Sequence, residues 1–356
     1  MNQYLDGQTF QLTPDLSPSA LDSTLACLLV PGDIMDSRLN AYCDRLQDRF
    51  DLFCTTCPAP QWHKGQIITP EIRCQAEVYL PLAEIQSAFR YLLLRSFHYK
   101  PFLPAVPLFS ALSWVDALER IHAPGVRFNP ARILVEAATD QLLRTKLLAA
   151  FFVPKRYGGG FDRYPLQKKF LEEWLSERSK RAISVLDAAC GSGEGVYELA
   201  EMVAAAGFHP DSTVVHGCTV EPLELAVAAH GWFPGDSERE LSVKRMIAAV
   251  SKRGGAGCIA FFSEDICQPV ENSEQYDVVV CNGLLGGPLL HEIKALEAAV
   301  NGLAKRVKRG GILLAADRFH AGWRRVIPLI ELNILFEKHG LRVFDLPEGL
   351  GGVKTE

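Results

Sequence analysis

A glycine-rich segment has the clearest chemical potential in this sequence of 356 residues. Gly191-Ser-Gly-Glu-Gly195 follows the apolar run Ile183-Ser-Val-Leu-Asp187 and precedes a helical pattern. Glycines permit positive φ and let a ligand approach the backbone, and the free N–H groups of the next helix attract anionic groups. This strand–loop–helix pattern indicates a nucleotide-like cofactor at the end of the strand. The alternative is a tight turn that binds no ligand.

The spacing of the glycines narrows the choice of cofactor. A dinucleotide fingerprint that starts with Gly191 and Gly193 requires a glycine at position 196, where the sequence has Val196. The Gly-Lys-Ser/Thr ending of a phosphate-binding P-loop is also missing from this segment. What remains is an acid at the end of the strand, Asp187, followed by three closely spaced glycines.

Two further acids follow predicted strands. Glu221 stands just beyond the β-rich segment Thr213–Thr219, and Asp265 stands just beyond Cys258–Phe262. An acid after the second strand can bind both hydroxyl groups of a ribose. Each of these acids could instead be a solvated loop residue, but three acids after three consecutive strands favour one shared ligand site.

Candidate catalytic residues follow the fourth and fifth predicted strands. Asn282 ends the fourth, and Asp317-Arg-Phe-His320 follows the fifth. His320 could act as a general base, and Arg318 could hold an anionic substrate. The alternative is that these polar residues cap the next helix.

A cysteine pair in the first half resembles half of a zinc site. Cys54 and Cys57 have the spacing of a metal-binding knuckle, with His63 and Cys74 downstream, but the second knuckle is missing. We therefore expect ordinary thiols and no metal, with a metal site and redox activity as the alternatives. The basic run Lys305–Arg309 is typical of a helix end, with nucleic-acid contact as the alternative.

Elements that could position these residues alternate after residue 166. Strands alternating with helices predict a doubly wound, mainly parallel α/β sheet. Beyond the three strands already named, strands are predicted at Tyr276–Cys281, Ile312–Ala316 and Leu341–Phe344. Helices are predicted at Leu166–Glu177, Glu194–Ala206, Leu223–His230, Leu289–Val307 and Trp323–His339, with a loop and a helix in residues 234–257. The glycine-rich C-terminus, Asp345–Glu356, makes a poor strand, so we expect a last strand that is short or absent.

The first half has a different texture. Helical periodicity covers Leu82–Phe97, Ser110–His122 and Pro130–Phe152, while Ala76–Leu82 is the best strand candidate. We predict a mainly helical substrate or cap domain in residues 1–153, a linker or lid in residues 154–165, and a ligand-binding α/β domain in residues 166–356.

Composition limits the function classes. The net charge of −5 gives no overall basic field for nucleic acid, and 48% hydrophobic residues exclude a disordered chain. The most apolar stretch, Pro101–Val115, is too short to span a bilayer. Ten scattered cysteines and an N-terminus without a signal-peptide pattern predict a soluble cytoplasmic protein without membrane insertion.

The strand-end acid and glycine loop resemble motif I of class I S-adenosylmethionine (SAM)-dependent methyltransferases. Among these enzymes, the chemotaxis-receptor glutamate methyltransferases (CheR-like) have the most similar loop, Ala-Gly-Cys-Ser-Thr-Gly-Glu-Glu-Pro-Tyr-Ser-Leu-Ala. It resembles the segment Ala188-Ala-Cys-Gly-Ser-Gly-Glu-Gly-Val-Tyr-Glu-Leu-Ala200 of this sequence. Their Phe-Phe-Arg-Asp/Glu segment resembles Phe161-Asp-Arg163. The resemblance implies a Rossmann-like fold with SAM as cofactor and S-adenosylhomocysteine (SAH) as product. It places the cofactor against Arg163, Asp187, Ala189, Gly191, Gly193, Glu194, Tyr197, Glu221, Asp265, Ile266, Asn282 and Leu284.

The sequence also departs from that family. At the fourth strand end Asn282 replaces an arginine, Gly283 an asparagine, and Gly287 the family's active-site tyrosine. The Asn-Pro-Pro-Tyr/Phe motif of adenine methyltransferases and the Pro-Cys of cytosine enzymes are not found there either. We therefore expect a methyltransferase with an unidentified acceptor, a small molecule or a protein carboxylate. A non-catalytic SAM- or SAH-binding module and an RNA methyltransferase are the alternatives, and the oligomeric state stays open.

Overall fold

The computed structural model describes residues 10–57, 67–121, 128–153, 160–179, 181–268, 274–317, 326–346 and 348–355. Its contacts divide the chain into two compact units. One contains the helices between residues 18 and 152, and the other contains a short N-terminal strand and most of the residues from 160 onward.

In the described residues of the first unit, all the regular elements are helices. The helices are α1 (Pro18–Leu28), α2 (Ser37–Thr56), α3 (Pro70–Tyr79), α4 (Leu82–Ser96), α5 (Trp114–Arg120), α6 (Pro130–Thr139) and α7 (Gln141–Phe152). Two 3₁₀ turns, Leu103–Ala105 and Pro107–Ser110, precede α5.

The strand predicted at Ala76–Leu82 is wrong, because this segment lies mostly in α3. The Thr69 hydroxyl accepts the N–H of Ile72 and caps the helix, and Pro70 fits its first turn. The helix predicted over Pro130–Phe152 is divided in two, because the Asp140 side chain accepts the N–H groups of Leu142 and Leu143 and starts α7 anew.

The second unit is an eight-stranded sheet with helices on its connections. Its strands are β1 (Gln11–Leu12), β2 (Ile183–Asp187), β3 (Thr213–Thr219), β4 (Ile259–Ser263), β5 (Tyr276–Val280), β6 (Val307–Ala316), β7 (Leu341–Leu346) and β8 (Gly349–Lys354). Its helices are α8 (Pro165–Ser176), α9 (Glu194–Ala205), α10 (Pro222–His230), α11 (Ser237–Lys252), α12 (Ile293–Arg306) and α13 (Leu329–Lys338). The spatial order is β1-β4-β3-β2-β5-β6-β8-β7, with the five strands from β4 to β6 parallel. The predicted doubly wound, Rossmann-like fold is confirmed.

The expectation of a short or missing last strand is wrong. β8 is six residues long and pairs antiparallel with both β6 and β7. Its glycines fit because neighbouring groups fill the space that side chains would need. The ring of Phe344 lies where a side chain at position 351 would project, and the Ala315 backbone lies over position 349.

The strand order creates a switch point between β2 and β5. From β2 the chain adds β3 and β4 on one side, and it then returns to add β5 and β6 on the other. The loops after β2 and β5 therefore diverge, which leaves a crevice at the carboxyl ends of these strands where open α/β sheets bind ligands. No helix in the described part of the chain is long and apolar enough to cross a lipid bilayer.

Candidate functional site

A cavity of about 50 Å³ lies at this switch point. Asp187 from β2 and Asn282 after β5 line it together with residues of α8 and α9 and the segment before α8. Both residues belong to the ligand site that the sequence predicts, and the structure brings them to the same crevice.

In the glycine loop, residues 188–195, side chains at the glycine positions would strain the backbone or collide with neighbouring atoms. Gly191 and Gly193 adopt positive φ of 51° and 88°. A Cβ at Gly193 would lie 2.5 Å from that of Ala228, and one at Gly195 would lie 2.6 Å from Oδ2 of Asp187. Packing and backbone conformation therefore both require glycines in this loop.

Asp187 ends β2 with its side chain inside the protein, where the residue is only 7% exposed. Burial raises the pKa of its carboxyl group to about 7. The Ala189 N–H and the Arg163 guanidinium act to lower this pKa, whereas the Glu198 and Glu194 carboxylates act to raise it. Ala189 thus contributes its N–H to Asp187, at 3.4 Å. Such a carboxyl group is ready to ionise when a cation arrives.

Arg163 and Tyr164 lie beside the same crevice. The Arg163 guanidinium stacks over the Tyr164 ring at 5.4 Å. A Cβ at Gly283, which follows β5, would lie 3.3 Å from the Tyr164 hydroxyl and 3.7 Å from Nη2 of Arg163. The segment before α8 therefore folds back to the end of β5. Burial raises the pKa of Tyr164 to about 12, so its phenol stays protonated at neutral pH.

Glu198 holds this segment against α9. Its carboxylate accepts the N–H of Asp162 at 2.5 Å and lies 3.8 Å from the Lys168 ammonium, which also pairs with Asp162. Burial raises the pKa of Glu198. Of the predicted linker or lid, residues 154–159 lie outside the described residues.

The acids predicted after the second and third strands lie, like Asp187, at the carboxyl ends of the parallel strands. Glu221 is 2% exposed and caps α10 by accepting the N–H of Leu223 at 3.2 Å. Asp265 accepts the N–H of Cys267 at 2.9 Å, while the neighbouring Ile266 is buried. Asp265 also accepts the Gln268 side-chain amide at 3.4 Å, and since a carboxylate has about four acceptor positions it retains capacity for a ligand.

Glu194 and Tyr197 have their polar groups engaged within the protein. Tyr197 is fully buried, donates its hydroxyl to the Ala228 carbonyl at 2.7 Å and packs edge-on against Phe261. Its side chain therefore has a packing role, and its assignment as a cofactor-binding residue stays a prediction. The Glu194 carboxylate is paired with Arg239 of α11.

Asn282 is held in place by reciprocal amide hydrogen bonds with Gln167 of α8, at 2.6 and 3.0 Å. Its Oδ1 also accepts the N–H of Ala316 at 2.8 Å. Glu348, before β8, caps α8 by accepting the N–H groups of Leu166 and Gln167. Asn282 thus ties α8 to β5 and β6, and its assignments as a cofactor-binding residue and a catalytic candidate stay predictions.

Three candidate residues of the second half remain, together with the possible metal ligands of the first unit. Leu284 is half-buried and packs against the sheet core. Arg318 and His320 lie outside the described residues. In the first unit, Cys54 and Cys74 are exposed cysteines and Cys57 is a half-buried one, while His63 is outside the described residues. Within the described parts of the chain, no group of three His, Cys, Asp or Glu residues could hold a metal ion.

No family model and no curated protein matches this chain. Solved structures with similarity include SAM-bound CalS10, an amino pentose methyltransferase from Micromonospora echinaspora, at 18% identity and a TM-score of 0.28, covering 43% of this chain and 50% of that one. The [4+2]-cyclase SpnF has 18% identity and a TM-score of 0.34, covering 54% of this chain and 62% of that one. A TehB-like SAM-dependent methyltransferase from Corynebacterium glutamicum has 16% identity and a TM-score of 0.34, covering 64% of this chain and all of that one. This chain thus spans only half to two thirds of the first two structures, and at these scores the likenesses carry no argument about activity.

Proposed function

We propose that this chain is a SAM-dependent methyltransferase. The observation that carries the proposal is the buried Asp187, next to a glycine loop at the switch point of the sheet, with Glu221 and Asp265 after the two neighbouring strands. These three acids stand in the order of an extended ligand that crosses the edge of the sheet.

The residues present fit the parts of SAM. Its methionine end carries an ammonium and a carboxylate, and the site offers a buried carboxyl group of raised pKa and a nearby guanidinium, Asp187 and Arg163. Glu221 suits the ribose hydroxyls, and Asp265 suits the amino group of adenine. Gly191 and Gly193 give the loop its positive-φ backbone conformation, and Ala189 bonds to Asp187 through its N–H.

SAM would supply an electrophilic methyl group on its sulfonium. An acceptor lone pair would form a bond to that methyl carbon as the carbon–sulfur bond breaks, with SAH as the leaving group. The protein's part in such a displacement is to position the reactants and exclude water. Tyr164 and Gly283 flank the end of β5, where the protonated phenol could orient an acceptor. An acceptor carboxylate needs no general base, whereas a hydroxyl acceptor or a protonated amine must give up a proton to react.

The acceptor belongs to this proposal only as a class. We favour a small molecule or a protein carboxylate over RNA, because the net charge of −5 provides no general attraction to a phosphate backbone. We assign acceptor selection to the helical first unit. The second candidate is a module that binds SAM or SAH without transfer, and the glycines at 283 and 287 in place of the family's polar residues favour it.

Calorimetric titration with SAH tests the binding part of the proposal. We expect a micromolar dissociation constant, with Glu221→Gln weakening affinity about 10- to 150-fold through the loss of charge-assisted hydrogen bonds. Glu201→Gln, on the more exposed part of α9, is the control and should bind as the wild type does. Binding of NAD in place of SAH would overturn the assignment.

Isotope transfer separates the two candidates. With methyl-labelled SAM, a methyltransferase labels a component of a protein or metabolite extract, and treating the extract with protease tells a protein acceptor from a small one. Tight SAH binding with no label transferred to any fraction would favour the binding module.

A further inference from the structure

Helix α11, which lies between α10 and β4 in the chain, reaches the glycine loop through Arg239. Nε of Arg239 donates to Oε1 of Glu194 at 2.6 Å, and Nη2 donates to the Ser192 hydroxyl at 2.7 Å. The Ser192 hydroxyl in turn donates to Oε2 of Glu194 at 2.8 Å. The three side chains form a closed ring of hydrogen bonds, which we call the Arg239 clasp.

The clasp is largely shielded from water. The side chains of Arg239 and Glu194 are 13% and 8% exposed. A charge pair this buried is strongly interdependent, because removing one partner leaves the other charge without compensation. Glu194 also occupies the first turn of α9, where a carboxylate is favoured by the helix dipole.

The clasp acts on the part of the loop with the freest backbone. Ser192 lies between Gly191 and Gly193, which both adopt positive φ. Glycines lose more conformational freedom on ordering than any other residue, so a side chain bonded between them restrains the loop effectively. A loop ordered before the ligand arrives leaves less entropy to be lost on binding.

We propose that Arg239 is a positioning residue that holds the glycine loop in the shape that receives the amino-acid end of the ligand. The Glu194 carboxylate serves Arg239 in this arrangement and is not itself a ligand group. The inference rests on the proposed function, since SAM and SAH are the ligands whose amino-acid end would meet this loop.

A second ion pair between the same part of the chain and α9 provides a matched control. Arg253, which follows α11 directly, pairs with Glu201 of α9, but their side chains are 56% and 32% exposed. This pair has the same charge types and joins α9 to the residue after α11, and neither of its members belongs to the glycine loop. Arg253→Gln should therefore reproduce any general effect of losing a contact between them.

The experiment compares two ligands and four variants of the full chain. SAH has the amino-acid end, whereas 5′-methylthioadenosine has the nucleoside and lacks it. We expect Arg239→Gln to weaken SAH binding about tenfold or more while the affinity for methylthioadenosine changes less than about twofold. The Glu194→Gln/Arg239→Gln double variant should bind SAH more tightly than Arg239→Gln alone, and Arg253→Gln should match the wild type.

Other outcomes would overturn the inference in distinguishable ways. Equal weakening of both ligands by Arg239→Gln would show a general loss of structure, and unchanged affinity for both would show that the clasp does not position the loop. A double variant that binds SAH more weakly than either single variant would make Glu194 a ligand group with a contribution of its own. If the wild type binds neither ligand, the proposed function itself fails. Faster amide exchange at residues 191–195 in Arg239→Gln, but not in Arg253→Gln, would support the clasp without any ligand.

Discussion

Replacing Asp187 by asparagine removes the titrating group from the end of β2 while keeping its shape. The asparagine side chain retains an oxygen that can accept the N–H of Ala189, and its amide occupies the same space beside Gly195. Burial raises the pKa of Asp187 from 3.8 to about 7 in the folded protein. The variant therefore tests whether this buried carboxyl group takes up a proton on folding.

The sign of the effect follows from proton binding. Between pH 3.8 and about 7, the unfolded chain has this carboxyl group ionised and the folded chain keeps it protonated. The folded state binds more protons, so the free energy of unfolding falls as pH rises, by at most about 1.4 kcal/mol per pH unit. From pH 5 to pH 7 we expect the wild type to lose roughly 2.5 kcal/mol relative to Asp187→Asn, and little more above pH 8.

Urea unfolding of both proteins at pH 5, 6, 7 and 8 measures this difference, because the contributions of other groups largely cancel. Asp22→Asn, at an exposed position of α1, is the control and should run parallel to the wild type. Wild-type and Asp187→Asn curves that stay parallel from pH 5 to pH 8 would refute a carboxyl group of raised pKa at this position.

Three further outcomes can be measured with the same protein. Gly193→Ala should destabilise the fold by about 1–3 kcal/mol in thermal unfolding, because φ is 88° and the new methyl would meet Ala228; Gly257→Ala, which has open space, should not. Glu348→Ala should cost about 0.5–2 kcal/mol by leaving the first N–H groups of α8 without their cap, and an unchanged melting temperature would contradict that role. SAH binding at pH 6 should release nearly one proton, because the ligand's ammonium favours ionisation of Asp187, and binding at pH 8 should release almost none. Calorimetry in two buffers of different ionisation enthalpy measures the number of protons released. Equal proton release by Asp187→Asn would exclude Asp187 as the source.

The α/β fold could be predicted because its signals are local. The strands Ile183–Asp187 and Thr213–Thr219 agree with β2 and β3 residue for residue, since apolar runs between turn signals define buried parallel strands. β8 was missed because its glycines are explained by Phe344 and Ala315, which approach from other strands. The strand misplaced in α3 followed from β-branched and aromatic residues whose preference the Thr69 cap overrides.

In the candidate site, too, residues with local sequence signals could be predicted, and residues whose roles depend on tertiary contacts could not. Asp187 and the glycine loop are recognisable because strand, acid and glycines are consecutive in the sequence. Gln167, Glu198 and Arg239 gain their roles only from tertiary contacts, with Asn282, Asp162 and Glu194 as partners. Nothing in the spacing of Arg239 sets it apart from the other charged residues of a solvated helix.

The two-residue strand β1 has a consequence for how the chain is made. Gln11 and Leu12 pair with Phe262 and Phe261, and the Asp15 carbonyl bonds with His230, so the beginning of the chain completes the unit formed by its end. During synthesis at about 5–20 residues per second, the β1 segment would wait on the order of 10–50 s for its partner strand to be made. In that interval the intervening helices can form as a unit, and a fragment starting at residue 160 would expose the edge of β4, which is a template for aggregation.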